Sequence, residues 1–253
     1  METGRGWRRA TVAALAVLVA VVAGGCQVTL AVGVDARADG SGHVTVSATL
    51  DKDAATQVGQ LSLDDLRQAG WSIDGPRPAT GGGEVVRAAK PFANPAGLAR
   101  VMDELTGGTG PFRDFRLTRN RSLLTTRVSF TGTVDLSPGL AGFADDALRS
   151  SLGGAGVGLD PAAVKQVTGV DLDRLFAFTV GVRLPGSLTT SNAPAPAGNG
   201  ATWTPAMGEK VTLVAASRQY NRGTIALLVV AGAAALALVA LLGVRLVRRR
   251  RAS

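Results

Sequence analysis

The sequence has very few of the side chains on which catalysis and metal binding usually depend. Its 253 residues include one His, one Cys and one Tyr, and aromatic residues make up only 4 %. A metal site built from several His or Cys ligands is therefore excluded. A disulfide within one chain is also excluded, because a single cysteine has no partner. We expect the protein to hold neither a metal nor a cofactor.

Groups for acid–base chemistry are equally sparse. Nucleophilic catalysis needs a base beside a nucleophile, oriented by a third group. The single histidine, His43, follows a Gly-rich turn on the polar face of a predicted hairpin, where a solvated strand residue is expected. Paired carboxylates such as Asp64 with Asp65 fit helix termini, where acidic side chains are favourable for structural reasons. We therefore predict no catalytic residues and no enzymatic activity.

The excess of positive charge does not belong to the body of the chain. The formal net charge is +8. Residues 1–26 have three Arg and one Glu, and residues 245–253 have five Arg and no acid, so the residues between them have a net charge of only +1. Non-specific binding to nucleic acid depends on neutralising many phosphates. A nucleic-acid partner is therefore not expected.

The N-terminal residues have the order of an export signal. A basic stretch, an apolar run over 12–23 and small residues precede Cys26. We expect residues 1–25 to be a signal peptide and Cys26 to be acylated, as in a bacterial lipoprotein. Ala23 stands three residues before the cysteine, where the usual lipoprotein pattern has Leu. Cleavage near Gly25 without acylation, or an uncleaved anchor, are the alternatives.

A second apolar run lies near the C-terminus. Residues 225–244 contain no charged side chain. Twenty residues at about 1.5 Å per residue form a helix of about 30 Å, which is the thickness of a bilayer's hydrocarbon core. Five arginines follow, and basic flanks remain on the cytoplasmic side. We predict a transmembrane helix over 223–244, a cytoplasmic Arg-rich tail over 245–253 and an extracytoplasmic domain over 26–222 of a single-pass cell-membrane protein.

The body between these ends alternates strand-like and helix-like segments. Turn motifs such as Asp39–Gly42 separate runs in which apolar and polar residues alternate, which is typical of hairpins. Asn94 and Pro95 begin the clearest helix, which ends at Gly107. Further short helices are expected over 62–70, 140–152 and 160–169, and a last hairpin over 203–217. This order predicts an α+β fold, with a mainly antiparallel sheet packed with several helices, plus one C-terminal transmembrane helix.

Arginine is concentrated in one predicted hairpin, between positions 113 and 127. Alternation along the strand predicts that Arg113, Phe115, Leu117 and Arg119 share one face. Guanidinium groups bind phosphates through paired hydrogen bonds, and lipid headgroups are the phosphates nearest to a membrane surface. The candidate ligand-binding residues are Arg113, Phe115, Arg116, Arg119 and Arg121.

Several short motifs follow one another along the body in a characteristic order: Asp39–Gly42, Gly70–Trp71, Phe112–Arg119 leading into Thr133–Leu136, Leu184–Gly186, Ser191–Ala193 and Trp203. This order, with the final apolar span and Arg tail, resembles the LppM family of actinobacterial envelope lipoproteins. The resemblance implies an exported, membrane-held α+β domain that binds lipids or lipoglycans of the envelope. It implies no catalytic motif.

Two hypotheses about function remain. In the first, the body binds a membrane lipid or lipoglycan, with apolar faces for acyl chains and arginines for an anionic headgroup. In the second, it is a protein-interaction or scaffolding domain of a membrane complex without a small ligand. An apolar cleft lined by Phe and Arg would favour the first, and a filled core the second. The arginines themselves have a structural interpretation, as a solvated strand face with ion pairs to Asp114 or Asp135.

Overall fold

The structure is a computed structural model that describes residues 28–52, 64–79, 82–106, 110–138 and 176–251. These residues form β1 Val28–Ala36, β2 Gly42–Leu50, α1 Asp64–Gln68, β3 Ser72–Pro78, β4 Glu84–Phe92, α2 Pro95–Thr106, β5 Phe112–Arg121, β6 Thr125–Asp135, β7 Phe176–Arg183, β8 Ser187–Ser191, β9 Gly200–Trp203, β10 Lys210–Tyr220 and α3 Arg222–Arg251. The predicted signal peptide, Cys26 and the helices expected over 140–152 and 160–169 lie outside the described residues.

Six strands form one sheet in the order β3-β4-β2-β1-β7-β9. All neighbours are antiparallel except β1 and β7, which run parallel. The β1–β2 hairpin turns where the Asp39–Gly42 motif predicts it. Gly40 has φ +89° there, and the Asp39 carboxylate accepts hydrogen bonds from Ser41 N and Oγ at 3.0 and 2.7 Å. The predicted first hairpin is confirmed.

The other four strands form an antiparallel sheet in the order β5-β6-β10-β8. β5 and β6 are a hairpin, as predicted. β6 and β10 pair over eleven positions, from Thr125 opposite Tyr220 to Asp135 opposite Lys210. The hairpin expected over 203–217 is wrong, because β9 joins β7 in the six-stranded sheet while β10 joins the other sheet.

One hydrophobic core lies between the sheets. The rings of Phe112 on β5 and Phe178 on β7 stack with centroids 5.5 Å apart, and so connect the two sheets directly. Helix α2 contributes Leu98, Val101 and Met102, which are all buried, as the spacing of its apolar residues predicts. The Asn94 side chain accepts a hydrogen bond from Gly97 N at 3.1 Å and thereby caps the helix.

The predicted fold class is wrong. The structure is mostly β, with two sheets and, in its described part, only three helices. The helix predicted over 62–70 is only five residues long. Instead of a layer of several helices on one sheet, the inner face of each sheet is buried in a core shared with the other sheet. Sequence alternation identifies strands with one buried face, but it does not say whether a helix or another sheet covers that face.

Helix α3 follows β10 with only Asn221 between them. Among the described residues, it is the one helix that is long and apolar enough to cross a membrane. Seven large apolar side chains between positions 227 and 239 are 46–74 % exposed. Such a continuous apolar surface is not expected in water, and it agrees in position with the predicted span.

Candidate anion-binding face

A β-bulge in β5 separates the predicted arginine cluster into two groups. The register shifts between Arg113, opposite Thr133, and Arg116, opposite Thr131. Asp114 lies in the bulge with φ +56°, a left-handed conformation that Asp tolerates better than most residues. The extra residue places Arg113 on the face opposite to Phe115, and the prediction that these two share a face is wrong.

Phe115 is a core residue. Its side chain is 4 % exposed, and its ring packs edge-on against Phe112 and Phe130 with centroids 5.9 and 5.6 Å apart. On β6 the neighbouring position is Gly132, where an added Cβ would lie 3.1 Å from the Phe115 ring. Among the described residues, aromatic rings therefore surround Phe115, and its side chain is part of the core and is not exposed in a cleft.

The remaining candidates are exposed but differ in environment. Arg119 Nε donates a hydrogen bond to the Ala38 carbonyl at 2.7 Å, which ties β5 to the β1–β2 turn. Arg121 lies at the end of β5, beside the turn to β6. Arg116 projects from the face of the four-stranded sheet that is turned away from the core. Ligand binding by these residues stays a prediction.

We name that outward surface the open face. The pairing register assigns to it Arg113, Arg116, Thr118, Asn120, Thr125, Arg127, Ser129, Thr131, Thr133, Asp135, Lys210, Thr212, Val214, Ala216, Arg218 and Tyr220. The face is thus rich in arginines and hydroxyl groups. Guanidinium and hydroxyl groups are hydrogen-bond donors, and such a surface can bind phosphate or carboxylate oxygens.

Arg127 and Arg218 are directly opposite each other on β6 and β10. Cβ atoms of opposed residues lie about 4.5–5.5 Å apart, and like charges at that separation repel. Both side chains are exposed. Within the described part of the chain, neither has an acidic side chain within ion-pair distance. A bound anion would relieve the repulsion between them.

The opposite end of the open face has its own counter-charges. The Asp135 side chain accepts hydrogen bonds from Ser137 Oγ and from Ser137 N, the latter at 3.2 Å. Its other oxygen lies 3.8 Å from Lys210 Nζ. The Ser137 hydroxyl is the main cause that lowers the pKa of Asp135, and the charges of Lys210 and Arg113 lower it further, while burial opposes the shift. We call this region the far end.

The end that contains Arg127 and Arg218 is joined to helix α3, and we call it the helix end. Asn221 Nδ2 donates hydrogen bonds to the carbonyls of Ser122 and Leu123 at 3.0 and 3.2 Å. Asn221 N donates to the Leu124 carbonyl at 2.8 Å, and Asn221 Oδ1 accepts from the buried Thr126 hydroxyl at 2.9 Å. The β5–β6 turn is therefore fixed beside the first residue of the helix.

Sequence reasoning missed Arg218 and did not select Arg127 as a ligand-binding candidate. Both become notable only through the pairing of β6 with β10. Local patterns identify each strand, but no local pattern reports which distant strand lies beside it. The exposed Leu123 and Leu124 in the turn were a detectable feature, because consecutive apolar residues are unusual at a hairpin turn.

Within the described residues, the single histidine and the acidic side chains do not form a catalytic or metal-binding site. His43 is half-exposed on β2, and its Nε2 lies 3.4 Å from Asp35 on β1. Arg183 on β7 contacts the same carboxylate at 3.5 Å. These contacts connect three adjacent strands on the outer surface of the six-stranded sheet. In the parts of the chain that are described, no group of three His, Cys, Asp or Glu side chains is arranged to hold a metal.

No protein-family model matches the chain, and no curated protein matches it. Among solved structures, the chain is similar to the NMR structure of the folded domain of the Mycobacterium tuberculosis LppM protein. The identity is 14 %, the match covers 78 % of this chain and 93 % of that one, and the TM-score is 0.44. A likeness this distant establishes neither family membership nor function.

Proposed function

We propose that residues 26–222 form a membrane-held extracytoplasmic module that binds the anionic headgroup of an envelope lipid or lipoglycan. The observation that carries this proposal is the pair of directly opposed, exposed arginines, Arg127 and Arg218, at the helix end of the open face. Arg116 and the neighbouring Ser and Thr hydroxyl groups extend the donor surface. The proposed activity is binding, and no catalytic step or nucleic-acid partner is part of it.

The position of these arginines favours a lipid over a soluble anion. Arg218 is separated from the first residue of α3 by three residues. Helix α3 has the length and composition of a membrane span. The basic residues Arg245 and 248–251 at its other end favour a cytoplasmic C-terminus. With that orientation, the helix end of the domain lies at the outer surface of the membrane, where the lipid phosphates are.

The filled aromatic core determines how a lipid would bind. The Phe115 ring packs against both Phe112 and Phe130, so among the described residues its side chain is buried and is not available to acyl chains. We therefore propose recognition of the headgroup by the open face while the acyl chains remain in the bilayer. Paired guanidinium groups suit this role, because each presents a planar set of donors to phosphate oxygens.

Native mass spectrometry of the full chain in detergent micelles tests the proposal. Phosphatidylinositol is the anionic probe and phosphatidylcholine the zwitterionic one. We expect phosphatidylinositol to bind preferentially. The double variant Arg127→Gln/Arg218→Gln should weaken its binding by at least about tenfold, because each charged hydrogen bond contributes about 1.5–3 kcal/mol.

The matched control is Arg87→Gln/Arg100→Gln, which removes two exposed charges from β4 and α2. It changes net charge equally but leaves the open face intact, so its lipid binding should equal that of the unsubstituted chain. Equal binding of the two lipids, or equal loss in the two double variants, would contradict the proposal.

A protein-interaction domain is the second candidate, and the filled core around Phe115 favours it. In that case the arginines of the open face would contact acidic side chains of a membrane-embedded partner. Retention of neither lipid, together with co-purification of one partner that the Arg127→Gln/Arg218→Gln variant loses, would support this candidate over lipid binding.

A further inference from the structure

The turn between β5 and β6 exposes an apolar tip beside the start of α3. Leu123 is 68 % exposed and Leu124 is 45 % exposed. Tyr220, the last residue of β10, is 61 % exposed and lies opposite Thr125, at the β6 side of the same turn. We name Leu123, Leu124 and Tyr220 the tip. Three adjacent apolar side chains at a hairpin end are unfavourable in water, so their exposure needs a reason.

The tip is attached to the chain at the point where α3 begins. Asn221 binds three consecutive backbone carbonyls of the turn, those of Ser122, Leu123 and Leu124. The Asn221 carbonyl also accepts a hydrogen bond from Ile225 N at 3.0 Å, within the first turn of the helix. One residue therefore bonds to both the hairpin and the helix, and the tip cannot move away from the helix start without breaking these bonds.

The residues around the tip match the chemistry of a membrane surface. Arg121 and Arg222 are exposed next to it. Tyrosine is enriched at the boundary between headgroups and hydrocarbon, because its ring is apolar and its hydroxyl is polar. Arginine binds phosphates at that depth, and leucine contributes apolar area that can enter the acyl region.

We propose that the tip inserts into the outer leaflet of the membrane that α3 crosses, and that this contact fixes the orientation of the domain. The inference rests on the membrane span of the proposed function but not on recognition of a particular lipid. With the tip inserted, β6 and β10 rise from the membrane. Arg127 and Arg218 then lie two positions along their strands from Thr125 and Tyr220, about 7 Å from the tip and close to the phosphates.

Tryptophan fluorescence in lipid nanodiscs tests this geometry. The full chain is reconstituted in phosphatidylcholine nanodiscs that contain 20 % phosphatidylglycerol, with acyl chains either brominated or unbrominated. Brominated chains quench a tryptophan that reaches them. Leu123→Trp is the probe, and the quenching of the unsubstituted chain is subtracted to remove the contribution of Trp7, Trp71 and Trp203.

Two control positions give the upper and lower limits of quenching. Leu236→Trp lies within the apolar part of α3 and should be strongly quenched. Thr212→Trp is exposed on the open face, eight positions along β10 from Tyr220 and so about 27 Å away. We expect quenching at Leu123→Trp to exceed that at Thr212→Trp by at least about twofold, because interfacial side chains are buried about 5–10 Å below the headgroup boundary.

Each outcome has a distinct meaning. Strong quenching at Leu236→Trp with none at Leu123→Trp would overturn the insertion of the tip while leaving the membrane span intact. Equal quenching at Leu123→Trp and Thr212→Trp would mean that the sheet lies flat on the bilayer, which also overturns it. Failure of quenching at Leu236→Trp would contradict the span itself, and with it the proposed function and this inference.

Discussion

The two ends of the four-stranded sheet differ in whether their charged side chains have partners of opposite charge. At the far end, the Asp135 carboxylate is hydrogen-bonded by Ser137 and lies 3.8 Å from Lys210 Nζ. At the helix end, Arg127 and Arg218 face each other across two paired strands with no acid within ion-pair distance among the described residues. The same two strands, β6 and β10, therefore have a compensated end and an uncompensated one.

On this sheet, the uncompensated charges are those that the proposed lipid headgroups would reach. The opposed charges of Asp135 and Lys210 at the far end stabilise the pairing of their strands, whereas opposed like charges weaken it. A repulsive pair beside an apolar tip is costly for an isolated domain, but it is favourable against a surface that supplies both phosphates and hydrocarbon.

The largest effect is expected from detaching the turn at the helix end. Asn221→Ala removes the donor to the Ser122 and Leu123 carbonyls and leaves the buried Thr126 hydroxyl without its partner. A buried polar group without a partner costs about 1–3 kcal/mol. We expect the free energy of unfolding of the full chain in detergent micelles to fall by about 2–3 kcal/mol. Urea unfolding, followed by the fluorescence of the buried Trp71 and Trp203, measures it.

Asn120→Ala is the matched control, because Asn120 is exposed on the open face of β5. Its effect should be within about 0.5 kcal/mol. If both variants lose the same stability, Asn221 does not attach the turn to the helix. When it is combined with each tryptophan substitution, Asn221→Ala should also reduce the difference in quenching between Leu123→Trp and Thr212→Trp.

An intermediate effect is expected at the far end. Asp135→Asn removes the negative charge that Ser137 and Lys210 stabilise, and should lower the free energy of unfolding at pH 7 by about 1–2 kcal/mol. The pKa of Asp135 is lowered in the folded state. Its contribution is therefore complete above the unfolded-state pKa of about 3.9 and is lost as the pH falls through the lower folded-state value.

The stability difference between Asp135→Asn and the unsubstituted chain should consequently be constant from pH 7 to about pH 5 and should shrink below about pH 4. Asp74→Asn is the control, since Asp74 forms an exposed ion pair with Arg77, and such pairs contribute little. A difference for Asp135→Asn that persists unchanged to pH 2 would show that the charge is not the cause.

Local sequence patterns predicted the elements of this fold better than their assembly. The β1–β2 and β5–β6 hairpins and helix α2 were predicted, because turn residues, alternation and caps act over a few residues. The element that packs on each sheet was not predicted, because the alternation of apolar and polar residues is the same whether a helix or another sheet packs on the strands. The apolar span of α3 was identified by its length and composition.

The candidate site shows the same limit at the level of single residues. One bulge residue, Asp114, reverses the face of Arg113 relative to Phe115, and strict alternation cannot include it. The pairing of Arg127 with Arg218 depends on two strands that are distant in sequence. The sequence identifies arginine as a candidate anion-binding side chain, but only the register shows which arginines lie together.

The smallest effect on the free energy of unfolding is expected from removing the repulsion between Arg127 and Arg218. Arg127→Thr leaves Arg218 without a like charge opposite it and should raise the free energy of unfolding by about 0.2–1 kcal/mol at low ionic strength. The gain should diminish as salt screens the charges, because the Debye length falls from about 30 Å at 0.01 M to about 10 Å at 0.1 M. Urea unfolding in 0.01 and 0.5 M sodium chloride measures both quantities.

Arg87→Thr provides the matched comparison in the other sheet, where Arg87 lies opposite Asp74 rather than opposite another cation. Arg87→Thr should leave the free energy of unfolding unchanged or slightly lower. Inorganic phosphate sharpens the contrast, because an anion that bridges Arg127 and Arg218 stabilises the unsubstituted chain but not Arg127→Thr. Two results together would contradict this comparison: a lower free energy of unfolding for Arg127→Thr, and an equal effect of phosphate on both chains. The charges at the helix end would then be compensated, as they are at the far end, and Arg127 and Arg218 would bind no anion.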